Sequence, residues 1–452
     1  MQSVLIQTLG CKLNQLESEA AAEAFSRSGF TIYNTSKQVS PSIIIVNTCT
    51  VTSKADQKAR RVIRKALRDY PDSCVLVTGC YAQLDHEYIN QLDPKSRDRI
   101  FVLKGMEKEK LLDLPDLLYE SEDVFLTVKR WFEESEQGSH PSHPNKIFQF
   151  SPKHFSTHTR GSLKIQDGCD KHCTYCRIRL ARGPSVSLPA EQALARLRVL
   201  EENHAEAVLT GVNIGQYRDK SANLGELLEY LLSGTNKISL RLSSLAPDSV
   251  NENFVKILSN KRIRPHFHLS IQSGSEKVLE KMGRSYNSET IEKAVTLLRH
   301  AREDPFLACD LIAGFPGETE AEFEKTRKLC QKADFAWIHV FPYSKRRGTP
   351  AWSFPDSVNE KEISKRTRIL TDFAWQGRAG YVQRWIGREV DVLIEKNTGG
   401  FCRGVSENYI KLLVRYNGNT PPPPGSVLRC RILAFQGEIP KDYDTVAQEL
   451  AL

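Results

Sequence analysis

Short apolar runs rich in Val and Ile recur through the first quarter of the chain, at residues 4–9, 42–48, 74–79 and 100–103. Stretches with a helical apolar repeat lie between them, at 15–28 and 52–70. Short apolar runs alternating with helical patterns predict a parallel sheet with helices on both faces. The pattern breaks over 132–160, where 133–144 is polar with Ser, His, Gly and Pro, a linker composition. A second alternation then predicts six strands, at 163–166, 207–210, 238–242, 266–271, 307–312 and 337–341. Helical stretches such as 189–202, 288–302 and 320–332 separate them. Six strand–helix units are too few for an eight-unit barrel and suit a partial one, with its active site at the C-terminal strand ends. Beyond 378, strand-like runs at 389–395, 409–416 and 427–434 are punctuated by Gly399-Gly400 and by prolines 421–424. They predict a small all-β module. The expected fold class is α/β. A doubly wound parallel sheet occupies 1–128 and a linker 129–154. A partial (β/α)6 barrel follows over 155–376, and a small all-β barrel over 377–452.

Composition narrows the partners. No apolar run nears the roughly 18 residues of a membrane span, and no basic stretch precedes the first apolar run, so a cytoplasmic protein without a membrane partner is expected. The net charge is +8, which is compatible with an anionic partner such as nucleic acid. Lys54, Lys58, Arg60, Arg61, Arg64, Lys65 and Arg68 fall on one predicted helix, and Lys345-Arg346-Arg347 follows the sixth barrel strand. A solvated face is the usual meaning of such runs. In the β module, Arg403, Tyr409, Lys411 and Arg415 mix charge with an aromatic, as RNA-binding small barrels do.

The eleven cysteines carry the chemistry. An odd number in a reducing compartment argues against a disulfide framework and for metal binding or catalysis. Cys169, Cys173 and Cys176 have the spacing C-x3-C-x2-C, just after the first barrel strand. Thiolates suit iron–sulfur clusters, and three of them on a four-iron cube leave one iron open. Zinc is the rival and wants a fourth ligand; His172 could offer one, though its adjacency to Cys173 makes closure awkward. Cys11, Cys49 and Cys80 each end a predicted strand of the first sheet. The tips of parallel strands share one edge, where open α/β sheets bind ligands, so these three can converge on a second cluster. Cys74, Cys309, Cys330, Cys402 and Cys430 lack partner spacing and read as structural. Ser243, Ser244, Gln272 and Gly314 lie near barrel strand ends, where they could meet a polar cofactor.

These motifs resemble a known family. The run Cys169 to Cys176 matches the radical S-adenosylmethionine signature. Gly10-Cys11-Lys12-Leu13-Asn14, Asn47-Thr48-Cys49-Thr50-Val51 and Gly79-Cys80-Tyr81-Ala82-Gln83 resemble the N-terminal domain of methylthiotransferases. The β module resembles a TRAM domain, with Gly387-Arg388 before its first strand and 404–409 before a later one. The resemblance implies two [4Fe-4S] clusters and S-adenosylmethionine as cofactors, with Cys169, Cys173 and Cys176 as the catalytic cluster's ligands. It implies Tyr175, Gly211, Ser243, Gln272, Ile312 and Gly314 as contacts to S-adenosylmethionine. The implied partners are the tRNA anticodon loop and a reductase as electron donor, and the chain is expected to be a monomer. Cys11 to Gln15, and 343–351, look most like the branch that methylthiolates threonylcarbamoyladenosine at tRNA position 37. Sister branches act on isopentenyl-adenosine in tRNA or on an aspartate of a ribosomal protein. A non-catalytic iron–sulfur RNA-binding protein is the reading of another class. The chain departs from the family at Arg179 and Leu180, where Pro-Tyr is usual, and at Ala246, where an acid is usual.

Overall fold

The computed structural model describes residues 2–35, 40–119, 121–137, 146–153, 155, 159–220, 222–434 and 442–450. The N-terminal part is a five-stranded parallel sheet of β1 (Ser3–Thr8), β2 (Thr31–Tyr33), β3 (Ile43–Thr48), β4 (Cys74–Gly79) and β5 (Ile100–Val102). Its order is β2-β1-β3-β4-β5. Helices α1 (Lys12–Arg27), α2 (Ser53–Asp69) and the short α3 (Cys80–Leu84) each follow a strand. β3 and β4 are buried at every position, which explains why they read as continuous apolar runs rather than alternating ones. Chain order reverses between β1 and β3, so this is the crevice where a doubly wound sheet binds its ligand.

Helix α4 spans Val124–Gln137 and so includes 133–137, where composition suggested linker. Residues 138–145 and 154 of that linker lie outside the described residues. The barrel follows: β6 (Gly161–Lys164), β7 (Glu206–Thr210), β8 (Ser239–Leu242), β9 (His266–Gln272), β10 (Phe306–Ala313) and β11 (Trp337–Pro342). They form two parallel triads, β6-β7-β8 and β9-β10-β11. Single bridges at Leu240–Ile263 and Leu245–Leu269 join them. This is the expected partial barrel. The short helix α5 (Ile178–Arg182) follows the Cys169–Cys176 loop. Helix α6 (Glu360–Trp385) buries Leu370 and Ala374 in the barrel core and Tyr381 and Val382 against the β module.

That module closes as a five-stranded barrel in the order β12-β13-β14-β16-β15. Its strands are β12 (Glu389–Thr398), β13 (Phe401–Ser406), β14 (Lys411–Arg415), β15 (Val427–Leu433) and β16 (Thr445–Glu449). Periodicity did not reveal β2, β13 and β16, which are short or mostly carry polar and small residues. The module packs where the barrel strands begin: Tyr409 lies 4.2 Å from His266 and 5.6 Å from Phe306 between ring centroids. Tyr409 is therefore an interface residue rather than the RNA contact its composition suggested.

Glu206, the first residue of β7, joins these parts. Arg160, Arg241 and Arg264 donate to its carboxylate at 2.7, 2.8 and 2.9 Å, and Arg241 also donates to the carbonyls of Ser406 and Glu407. Burial opposes the Glu206 charge, but Arg241, Arg160 and Arg264 hold its pKa well below the usual carboxylate range. Glu206→Ala takes this carboxylate from the buried Arg241 and Arg264, while the half-buried Arg160 keeps Glu395. It is expected to lower the unfolding free energy by about 3–5 kcal/mol, read by urea denaturation; a loss below about 1 kcal/mol would match a hydrated surface pair instead.

Candidate active site

Cys11, Cys49 and Cys80 follow β1, β3 and β4 and flank the crevice where chain order reverses. Cys11 is the N-cap of α1 and Cys80 opens α3, and a helix N-terminus favours a thiolate. Gly10 brings two of them together. Its φ is +114°, and a Cβ there would lie 2.5 Å from Cys49 Cβ and 3.0 Å from Cys49 Sγ, so only glycine fits. Cys49 and Cys80 are buried and Cys11 is exposed at the crevice mouth. Burial pushes the Cys49 thiol up to about 11, and the neighbouring Cys11 and Cys80 add to the rise.

The second trio sits on the loop between β6 and α5. Gly168, at φ +70°, would place a Cβ 1.8 Å from the Pro184 carbonyl oxygen, so glycine is required just before Cys169. Thr174 anchors the loop, its N–H donating to the Met282 carbonyl at 3.0 Å and its hydroxyl to that of Lys281 at 2.8 Å. Cys169, Cys173 and Cys176 are half-buried. Burial pushes Cys176 up to about 12, and Cys173 and Cys169 push in the same direction. His172, the possible fourth zinc ligand, is exposed and engages Arg179.

Three soft thiol donors without a fourth protein ligand are the donor set an iron–sulfur cluster would take at each trio. Among the described residues, no set of His, Cys, Asp and Glu closes on a single metal ion, and a four-iron cube spreads its thiolates further apart than one tetrahedral ion does. N–H groups already face the sulfurs: Arg284 Nη1 lies 3.2 Å from Cys173 Sγ and the Ile178 N–H 3.4 Å from Cys176 Sγ. Such donors tune cluster potential. The five remaining cysteines are buried, in keeping with structural roles.

Arg182, the last residue of α5, ties the first trio to the segment just before Cys169. Its Nε lies 3.3 Å from Cys80 Sγ, and its Nη2 donates to Asn14 Oδ1 at 3.0 Å. Its Nη1 donates to Asp167 at 3.0 and 3.1 Å and to Glu17 at 3.1 Å. Asp167 in turn accepts the Gly168 N–H at 2.7 Å. Lys108 and Lys164 complete the buried network around Glu17 and Asp167. Burial opposes the Glu17 charge, yet Arg182, Lys108 and Lys164 lower its pKa to about 2. Of the three cations of this network, Arg182 is the one that reaches a thiol, Cys80. Neither Arg182 nor Arg284 was singled out from sequence, because neither has a spacing that marks it; the position of Arg182 just beyond the cysteine loop was the only signal.

The expected S-adenosylmethionine contacts lie toward the C-terminal ends of the barrel strands or, for Tyr175, on the cysteine loop. Tyr175 and Ile312 pack in one cluster with Phe315, the Tyr175 and Phe315 rings 6.2 Å apart. The Ser243 hydroxyl is buried without a hydrogen-bond partner, an orphan that suits a polar ligand. Gln272 is buried at φ +72°, a strained conformation of the kind found at ligand clamps. Gly211 abuts Gln166, whose Oε1 would lie 2.8 Å from a Cβ at Gly211. Gly314 is enclosed: Ile363 fills the Cβ position and Glu318 accepts the Gly314 N–H at 2.7 Å. A groove of about 870 Å³ on the flank of the mouth, lined by Asp170, Lys171, Asn213 and Gln216 among others, includes none of these six. Of the departures, Arg179 is exposed on the cysteine loop's flank and Ala246 is buried before a short turn.

Residues 163–330 match the Radical SAM superfamily, and residues 3–101 match the uncharacterized protein family UPF0004. The chain is 37% identical to the threonylcarbamoyladenosine tRNA methylthiotransferase MtaB of Treponema pallidum, over 96% of this chain and 98% of that protein. It is 32% identical to MtaB of Bacillus subtilis, over 96% and 94%. It is 28% identical to a tRNA-2-methylthio-N(6)-dimethylallyladenosine synthase of Ehrlichia chaffeensis, over 97% and 99%. The fold resembles that of the radical S-adenosylmethionine methyltransferase TsrM of Kitasatospora setae, with a TM-score of 0.51 at 16% identity over 75% of this chain and 73% of that one.

Arg182→Lys keeps the charge and removes the fork that reaches Cys80. An iron–sulfur cluster on Cys11, Cys49 and Cys80 is then expected to become harder to reduce, because its reduced state loses a hydrogen bond. Redox titration of anaerobically loaded protein reads the shift; an unchanged potential would remove Arg182 from any role at Cys80.

Proposed function

The chain belongs to the methylthiotransferase family of radical S-adenosylmethionine enzymes, and from that premise we propose that it adds a methylthio group to carbon 2 of N6-threonylcarbamoyladenosine beside the tRNA anticodon. The observation that carries the reading is that one cysteine trio follows the strand ends of the N-terminal sheet and a second sits on the loop after the first barrel strand, with Arg182 bridging Cys80 of the first part and Asp167 of the second. When bound, two four-iron clusters and S-adenosylmethionine would relay an electron and supply the adenosyl radical, the sulfur and the methyl group.

The chain's own residues hold and orient these groups. Cys169, Cys173 and Cys176 hold the catalytic cluster at the barrel mouth, with Arg284 steadying Cys173 from the side. Cys11, Cys49 and Cys80 hold the auxiliary cluster. Each trio leaves one iron without a protein ligand. Tyr175, Gly211, Ser243, Gln272 and Ile312 line the seat of S-adenosylmethionine, with the unpartnered Ser243 hydroxyl aimed at a polar group. Gly314 acts from behind, holding the strand end through Glu318. The N-terminal sheet covers the mouth and keeps water from the reacting atoms. A reductase provides the electron. The choice of nucleoside rests on the named relatives and on the run from Cys11 to Gln15.

The test is anaerobic turnover with dithionite, S-adenosylmethionine and tRNA, followed by nucleoside mass spectrometry. Wild type is expected to form 5′-deoxyadenosine and methylthiolated threonylcarbamoyladenosine. Cys173→Ala should abolish both. Cys49→Ala should retain part of the deoxyadenosine and give no methylthio product. Product on isopentenyl-adenosine or on a ribosomal-protein aspartate would move the chain to a sister branch. No deoxyadenosine from iron-loaded wild type would leave a non-catalytic iron–sulfur RNA-binding protein.

A further inference from the structure

A second cavity, of about 270 Å³, opens on the outside of the seam between the N-terminal sheet and the barrel. Its walls include residues next to the cluster ligands: Tyr81 follows Cys80, and Arg177 follows Cys176. The segment after β11 supplies Lys345, Arg346, Arg347 and Trp352, and α2 supplies Asp56 and Arg60. Arg346 holds the segment after β11 in place. It is buried and donates to the Thr50 carbonyl at 3.0 Å and to Asp56 at 2.7 Å.

The cavity carries excess positive charge. It is lined by five cations, Arg60, Arg177, Lys345, Arg346 and Arg347, and by two acids, Asp56 and Asp85. Both acids are taken, Asp56 by Arg346 and Asp85 by Arg177 at 3.0 Å. Lys345 and Arg347 have no carboxylate partner among the described residues and are exposed. The cavity is also aromatic. Trp352 is 44% exposed, and Lys345 lies 5.3 Å from its ring centroid. Arg60 stands 5.6 Å from the ring of Tyr88, itself an exposed side chain. Free cations beside an open indole match the requirements of a nucleotide, a phosphate on the cations and a base on the ring. A solvated charged face would need no ring and no pinned loop.

Two further observations select RNA as the occupant. α2 starts at this cavity and extends from it with Lys54, Lys58, Arg61, Arg64, Lys65 and Arg68 exposed, of which only Arg68 has a carboxylate partner among the described residues. This is a track for a phosphate backbone. The β module packs where the barrel strands begin, so contacts beside the reacting nucleoside fall to the mouth's own residues.

We propose that this seam cavity is a nucleotide subsite, in which Trp352 stacks a base flanking the modified adenosine and Lys345 and Arg347 take its phosphates. The proposal rests on the tRNA reading above and extends it to a second binding point, on the N-terminal sheet and the barrel together.

The test measures binding of a synthetic anticodon stem–loop RNA to the full chain by fluorescence anisotropy over a range of salt. Trp352→Ala is expected to weaken binding about tenfold, the scale of one lost base stack, and Trp352→Phe to restore most of it. The double variant Lys345→Ala/Arg347→Ala is expected to flatten the salt dependence by about 1.4, for two single-strand phosphates at about 0.7 each. Circular dichroism checks that each variant is folded. If wild type binds the RNA and Trp352→Ala binds it equally well, the subsite is wrong and the tRNA reading stands. If wild type binds no RNA, the tRNA reading fails and takes the subsite with it. If the variants keep RNA affinity and lose affinity for an acidic electron-transfer protein, the face belongs to the reductant and the proposal is overturned.

Discussion

The buried guanidinium of Arg182 is the contact on which the rest of the site depends. It reaches Cys80 and Asn14 on the N-terminal sheet and Asp167 on the barrel at once. Buried charges in a low-dielectric interior are tolerated only when fully paired. The contacts of Arg182 with Cys80, Asn14 and Glu17 across the seam therefore favour one arrangement of the two parts. Displacing the sheet would separate Arg182 from Cys80, Asn14 and Glu17, while Asp167 keeps Lys164 and Glu17 keeps Lys108. Charged side chains thus help to fix how the N-terminal sheet sits on the barrel.

The scaffolds on either side contribute through strand ends. A parallel strand places the residue after its C-terminus at a common edge. Each part exploits this, the sheet for Cys11, Cys49 and Cys80 and the barrel for the cysteine loop. The two edges then face each other. Glycines at 10 and 168 allow the backbone approaches that the thiols need. At the other end of the barrel, the Glu206 cluster holds the β module in place. One barrel is therefore capped by ionic contacts at both ends, one end chemical and the other structural.

Much of this was legible in the sequence, for a physical reason. Strands buried on both faces, such as 43–48 and 74–79, leave continuous Val and Ile runs, and cysteines placed just after them mark an edge. The convergence of Cys11, Cys49 and Cys80 followed from topology alone. What stayed hidden was whatever has no periodic or spacing signature. Arg182 and Arg284 look like any other arginine until a fold brings a sulfur within reach. β13 and β16 carry too many polar and small residues to stand out. Tyr409 carried an RNA-binding composition, yet its ring is used against His266. The room at Gly314 goes to Ile363 rather than to a ligand, which no local pattern could reveal.

The central claim is that the two cysteine trios each hold an iron–sulfur cluster. Iron and sulfide quantification on anaerobically isolated protein, joined to electron paramagnetic resonance of the fully reduced state, tests it most directly. The account predicts about eight irons per chain and a spectrum broadened by magnetic interaction between two reduced clusters. About four irons with a single uncoupled signal, or zinc in place of iron, would contradict it.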